Sequence, residues 1–175
     1  MYEMSREELI QRLMRLDEDA DLTFDNGERL HIIIVGGGAL ILQEYISRAT
    51  HDIDAIEVSK ELRGLMERYD INAQVNAYIN NFPYNYEDRI VPLLEGRIID
   101  FYTASLEDIV VAKLCSYRDS DLHDVESPAV LAALDWDLLE YLATDESEAK
   151  ASALNERSYE QFLYNYSNYV KENKS

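Results

Sequence analysis

The sequence predicts an α/β (α+β) fold, with a small mixed β-sheet, flanking helices and a helical C-terminal half. Strand patterns lie mostly before about residue 103, and helical patterns dominate after it. Hydrophobic residues make up 47% and charged residues 29% of the 175-residue chain, as in ordered proteins that bury a core. We therefore expect an α/β core at residues 1–103 and a helical region at residues 104–175 that packs on it.

The first strand of the expected sheet is preceded by a helix and a turn. Residues 5–8, Ser-Arg-Glu-Glu, form a capping-box pattern that predicts a helix to about Asp17. Leu22 and Phe24 then alternate with polar residues, and Asn-Gly at 26–27 is typical of a hairpin turn. The almost entirely aliphatic segment 30–35 predicts a central strand that is buried on both faces.

Strands and helices alternate after this strand, and the chain then becomes helical. We expect further strands at 52–58, around 73–79 and at 97–102, and helices at 39–46, from 59 to about 69 and from 105. Residues 118–124 predict a polar break, with helices again from about 127. Aromatic residues recur at helical spacing between Tyr159 and Val170, and we interpret them as core packing.

A glycine motif follows the buried strand. Gly36, Gly37 and Gly38 can bring backbone N–H groups close to a ligand, because they have no side chains. Such N–H groups at the start of a helix form an anion site that suits phosphates. The alternative interpretation is a tight turn with close packing of helix and strand.

An acidic pair lies on the next expected strand. Asp52 and Asp54 are two residues apart, so both carboxylates point to the same face of the strand. A cation between them would relieve their repulsion, and magnesium prefers such oxygen ligands. The alternative interpretation is an exposed strand edge with solvated acids.

The combined pattern resembles a known superfamily. A strand, a Gly-Gly turn, about a dozen residues and then Asp-x-Asp are similar to the signature of polymerase-β-like nucleotidyltransferases. The string from Arg48 to Asp54 resembles the bacterial nucleotidyltransferases allied to abortive-infection toxins of toxin–antitoxin pairs. The resemblance implies a nucleoside triphosphate as substrate and Mg²⁺ or Mn²⁺ as cofactor. It also implies that Asp52 and Asp54 are catalytic metal ligands, and that the three glycines, Arg48 and Thr50 bind the nucleotide.

A second stretch, residues 105–124, resembles later motifs of the same family. These motifs place a lysine on a helix, then an arginine, then Asp-x-x-Asp, and Lys113, Arg118, Asp121 and Asp124 occupy those places. The resemblance implies that all four bind the nucleotide, and that Lys113 acts in catalysis by offsetting triphosphate charge. From the residues alone, Lys113 could extend to the surface. Arg118 could pair with either aspartate, and both could be ordinary acids at a helix start.

A third metal carboxylate is usual in this superfamily, on a strand after Asp-x-Asp. Asp100 is the only acid in the largely apolar segment 97–102, which favours a ligand or a paired acid over a random surface charge. The resemblance implies that Asp100 is catalytic and the third metal ligand. From the sequence, the acid that completes the site could be Asp100, or it could be the pair Asp121 and Asp124.

Charge and cysteine content restrict partners and location. The net charge is −19, from 35 acidic and 16 basic residues, so most of the surface would repel nucleic acid. A metal-bound nucleotide, a cationic small molecule or a basic protein fits this negative charge better than a nucleic acid does. The resemblance also implies a cognate antitoxin as a possible partner. Cys115 is the only cysteine, which excludes an intrachain disulfide and fits a reducing cytoplasm. The longest apolar run, around 31–42, is too short to span a membrane.

We therefore hypothesise a metal-dependent nucleotidyltransferase of the toxin type. It would transfer a nucleoside monophosphate from a nucleoside triphosphate to a hydroxyl of a transfer RNA, a protein or a small molecule. One alternative is a catalytically inactive member that binds a nucleotide or a protein. Another is a structural module whose aromatic C-terminal residues form a contact surface.

Overall fold

The computed structural model describes residues 3–24, 27–50, 53–56, 60–73, 81–145 and 156–175. The chain divides into two units: residues 1–75 with 90–104 form unit 1, and residues 76–89 with 105–175 form unit 2. A mixed five-stranded sheet is combined with helices, which confirms the predicted fold class. No described helix has both the length and the apolar character needed to cross a bilayer.

Unit 1 is built on the sheet. Its strands are β1 (Leu30–Val35), β2 (Ile53–Ile56), β3 (Ile71–Asn72), β4 (Val91–Glu95) and β5 (Ile99–Thr103). Their order is β3-β2-β1-β5-β4, with β1 antiparallel to β2 and parallel to β5. β3 is parallel to β2, and β4 is antiparallel to β5. The last four residues of the central strand β1 are buried, as predicted.

Three described helices belong to unit 1: α1 (Arg6–Thr23), α2 (Gly36–Leu42) and α3 (Lys60–Arg68). Ser5 caps α1 as predicted, and its hydroxyl accepts from the N–H of Glu8 at 3.4 Å. The predicted end of α1 at about Asp17 is wrong, because Ala20 continues the buried face and the helix runs to Thr23. Leu22 is helical and 85% exposed, and Phe24 follows the end of α1, so the alternation of these residues with polar ones does not belong to a strand.

A buried carboxylate ties α1 to the β4–β5 hairpin. Asp17 is 4% exposed and accepts hydrogen bonds from the backbone N–H groups of Arg97, Ile98 and Ile99, at 2.7, 3.0 and 2.9 Å. A side chain at Gly96 would overlap this carboxylate, so the hairpin turn needs glycine there. Helix α1 thereby holds the start of β5 in position.

Unit 2 is helical in its described part. A short 3₁₀ helix at Tyr86–Arg89 is followed by α4 (Leu106–Ser116), α5 (Asp119–Val125), α6 (Pro128–Ala133), α7 (Trp136–Thr144) and α8 (Glu156–Asn173). Helix α4 lies against α5, α7 and α8. The polar break predicted at 118–124 is wrong, since most of this segment forms α5. Tyr159, Phe162 and Tyr169 of α8 are buried, which confirms that the aromatic residues serve core packing.

Replacing Asp17 by alanine is expected to lower the free energy of unfolding by about 2–4 kcal/mol, because three backbone N–H groups lose their acceptor. Urea denaturation followed by circular dichroism measures this change. Asp21→Ala is the matched control, since its side chain is half-exposed on the same helix. It should change stability by less than about 0.5 kcal/mol. An equal loss in both variants would contradict the role assigned to Asp17.

Candidate functional site

The candidate site of unit 1 lies where β1 ends and α2 begins. Gly36 has φ +69°, a left-handed conformation that glycine adopts without strain. Gly36, Gly37 and Gly38 form the first turn of α2, so the predicted helix start at Ala39 is wrong. Gly38 is buried, and the missing side chains at Gly36 and Gly37 leave room for Asp54 and Arg48 beside this turn.

Strand β2 brings Asp54 to this turn. The antiparallel register aligns Asp54 with Val35, the last residue of β1. A Cβ atom added at Gly36 would lie 3.5 Å from Asp54 Oδ2, so the carboxylate stands against the turn. Ile53 is fully buried, as the alternation along the strand predicts. Asp52, the other member of the predicted pair, lies outside the described residues.

Asn72 is a polar neighbour of Asp54 that belongs to none of the sequence motifs. Strand β3 runs parallel to β2 and aligns Asn72 with Asp54. Asn72 Nδ2 donates to Asp54 Oδ1 at 3.3 Å. The order of β2, helix α3 and a returning parallel strand is the signal that could have placed Asn72 there.

The segment between α2 and β2 places Arg48 at the glycine turn. A side chain at Gly37 would overlap the Arg48 guanidinium, so the two residues are in close contact. Thr50, two residues later, forms an isolated antiparallel bridge with Met4, with backbone N···O distances of 2.6 and 3.1 Å. Met4 is buried. The residue before the cap of α1 therefore anchors the segment that carries Arg48.

The structure does not bring Asp100 to Asp54. Asp100 aligns with His31 near the start of β1, whereas Asp54 aligns with Val35 at its end. Four residues of strand span ~13 Å. Arg29 donates to both Asp100 oxygens, at 3.0 and 2.7 Å, and these hydrogen bonds hold the pKa of Asp100 below its usual value. Of the two interpretations of Asp100, this geometry supports the paired acid.

Lys113 is the centre of a buried charge cluster in unit 2. Its Nζ lies 3.1 Å from Asp121 Oδ1 and 3.1 Å from Asp124 Oδ2. Lys113, Asp121 and Asp124 are 8%, 2% and 1% exposed, so the lysine does not extend to the surface. Arg118 Nε donates to Asp121 Oδ2 at 2.9 Å, which confirms one of the pairings considered for Arg118.

The charges around Asp121 decide its ionisation. Burial raises the pKa of Asp121, but the hydrogen bond from Arg118 and the charge of Lys113 outweigh this effect. The pKa of Asp121 therefore lies below its usual value, which favours the ionised carboxylate beside Lys113 and Arg118.

A family model matches residues 11–174, which is nearly the whole chain. The family is described as "Nucleotidyltransferase of unknown function (DUF6036)". The chain belongs to this family. Membership in DUF6036 agrees with the resemblance to nucleotidyltransferases that the glycine and aspartate motifs carry. Neither a curated protein nor a solved structure matches this DUF6036 chain.

The donor atoms near the glycine turn of the DUF6036 chain suit a hard cation. Asp54 supplies carboxylate oxygens and Asn72 an amide oxygen, both of which Mg²⁺ accepts as ligands. Within the described ranges, no group of three or more His, Cys, Asp or Glu side chains could hold a metal ion. Asp52, the remaining predicted ligand, is not among those residues.

Substitution of Lys113 by methionine is expected to destabilise the DUF6036 chain by about 3–5 kcal/mol, because two buried carboxylates lose their cation. Urea denaturation is again the measurement. Lys171→Met, at an exposed position of α8, is the matched control and should be nearly neutral. A small effect of Lys113→Met would contradict the buried ion cluster.

The Asp121 ion pairs should also shape the pH dependence of stability. The pKa of Asp121 in the folded state lies below 3.8, its ordinary value. The ion pairs therefore stabilise the folded state at pH values above 3.8, and this stabilisation is lost as the pH falls through the folded-state pKa. Asp121→Asn should therefore lower Tm most near neutral pH, with a difference from wild type that shrinks in acid. Thermal unfolding from about pH 7 down to about pH 2 tests this. Asp119→Asn, an exposed acid of α5, should follow wild type throughout.

Proposed function

We propose that the chain transfers a nucleoside monophosphate from a nucleoside triphosphate to a hydroxyl acceptor, with release of pyrophosphate. One observation carries this proposal: the Asp54 carboxylate and the Arg48 guanidinium meet the same glycine turn, at Gly36 and Gly37. A carboxylate that can bind a cation and a guanidinium that can bind phosphate thus lie beside the same turn. Family membership supports the general class of reaction.

Each residue at the turn has a role in this proposal. The backbone N–H groups of Gly36, Gly37 and Gly38, at the N-terminus of α2, would contact the triphosphate. Arg48 would offset phosphate charge with its planar guanidinium. Thr50, whose backbone is paired with Met4, would keep this segment in place and could add a hydroxyl contact.

Asp52 and Asp54 would hold Mg²⁺ or Mn²⁺ in the proposed site. When bound, such a cation would neutralise triphosphate charge and stabilise the departing pyrophosphate. The alignment of Asp54 on β2 with Val35, the last residue of β1, supports this role, and Ile53 is buried beside it. Asp100 is not included, since Arg29 binds both of its carboxylate oxygens.

The role of the second motif remains a prediction from the resemblance. Lys113 is neutralised by Asp121 and Asp124, so its charge is already matched within unit 2. Arg118 has the most exposed side chain of this cluster, at 68%, and this exposure supports a role in phosphate binding. We propose that Lys113, Asp121 and Asp124 act by positioning Arg118.

The charge of the chain guides the choice of acceptor. With 35 acidic and 16 basic residues, a cationic small molecule or a basic protein would be attracted, whereas a transfer RNA would be repelled over most of the surface. We therefore place a cationic acceptor before a transfer RNA end. A toxin-type role, with a cognate antitoxin as partner in the cytoplasm, belongs to the same proposal.

A second candidate function is nucleotide binding without turnover. It is favoured by the neutral side chain of Asn72 beside Asp54 and by the pairing of Asp100 with Arg29. Both features reduce the number of carboxylates near the turn. This candidate predicts metal-dependent binding of a nucleoside triphosphate without release of pyrophosphate, even when cationic acceptors are supplied.

Isothermal titration of each nucleoside triphosphate, with and without Mg²⁺, tests the site. We expect Mg²⁺-dependent binding by wild type and its loss, by at least about tenfold in Kd, in Asp52→Asn/Asp54→Asn, because the cation loses its carboxylates. Asp100→Asn is the matched control and should retain binding, with Tm measured to confirm folding. Pyrophosphate release with candidate acceptors then separates the two functions. The absence of binding to folded wild type would remove both.

A further inference from the structure

The two oxygens of the Asp54 carboxylate have different neighbours: Asn72 lies beside Oδ1 and the glycine turn beside Oδ2. Asn72 Nδ2 donates to Oδ1 at 3.3 Å, and a Cβ atom at Gly36 would lie 3.5 Å from Oδ2. Both neighbours are set by strand pairing, since Asp54 aligns with Val35 on one side and with Asn72 on the other. The position of Asn72 is therefore a property of the sheet and not of a loop.

The sheet gives Asn72 an orientation suited to a shared ligand. Partners in parallel strands point to the same face, so the Asn72 amide and the Asp54 carboxylate lie on the same side of the sheet. Ile71, the preceding residue, is buried on the opposite side. Any cation bound by Asp54 at this face is consequently within reach of the Asn72 side chain.

We propose that Asn72 is a neutral metal ligand of the site that contains Asp54. An asparagine amide offers an N–H donor on one side and a carbonyl oxygen on the other. Toward a bare carboxylate the N–H group is the favourable face, as in the hydrogen bond to Oδ1. Toward a divalent cation the favourable face is the carbonyl oxygen, which rotation of the amide group presents.

This inference rests on the proposed function, because it takes the cation at Asp54 from it. Because residue 72 is an asparagine and not an acid, the proposed site carries one negative charge fewer. Such a site should bind a free divalent cation weakly and bind it well only when triphosphate oxygens contribute. Conversion of Asn72 to aspartate should restore affinity for the free metal ion.

The experiment is a titration of Mn²⁺ alone, with free Mn²⁺ followed by its paramagnetic resonance signal. Asn72→Asp should bind Mn²⁺ at least about tenfold more tightly than wild type, and Asn72→Leu about tenfold more weakly. Gln11→Glu, an equivalent amide-to-acid change at an exposed position of α1, is the matched control and should not change the affinity. The gain in Asn72→Asp should disappear when Asp54→Asn is added.

Thermal unfolding provides a second measurement that does not depend on activity. In Asn72→Asp, two adjacent carboxylates repel each other, so Tm without metal should fall and its rise with Mn²⁺ should exceed that of wild type. If Asn72→Asp binds Mn²⁺ no better than Gln11→Glu while Asp54→Asn weakens binding, the role of Asn72 is refuted and the site at Asp54 stands. If Asp54→Asn changes nothing either, the proposed function loses its cation site.

Discussion

The pairing of β1 with a strand on each side is the constraint on which the site depends. On one side, the antiparallel register with β2 delivers Asp54 to the glycine turn. On the other side, the parallel register with β5 carries Asp100 to the opposite end of β1. Because side chains alternate between the faces of a strand, a shift of β2 by one residue would send the Asp54 carboxylate to the other face. The chemistry of the turn thus follows from register more than from any single contact.

Acidic side chains have different surroundings at the surface and in the interior of this strongly charged chain. The deeply buried acids among the described residues have hydrogen-bond donors or cations as partners. Asp17 accepts from backbone N–H groups, and Asp108 pairs with Arg89. Asp121 and Asp124 both pair with Lys113. These partners offset the cost of removing a carboxylate from water. The excess of negative charge is therefore left mainly to exposed positions, where water and salt screen it.

Local sequence patterns were sufficient to predict β1, the cap of α1 and the start of α4, because the signals for these features lie within a few adjacent residues. They failed for β4, where Pro92 lacks an N–H group and the pairing with β5 shifts between Pro92 and Leu94, so no clear alternation results. They failed for α5 because two of its buried positions, Asp121 and Asp124, are acids whose burial depends on their pairing with Lys113. The partners of Asp100 and Asp54 depend on strand order, which periodicity does not encode: periodicity gives the face of a residue and not its neighbour.

The single thiol of the chain has a practical consequence. Cys115 is half-buried in α4, its Sγ lies 3.8 Å from the carbonyl oxygen of Asn81, and burial raises its pKa to about 12. Since the thiolate is the reactive form, alkylating reagents should modify it slowly while α4 is folded. The rate of labelling therefore reports how often the helices around α4 open. Unit 2 carries its own probe of local unfolding, with no need to engineer a cysteine.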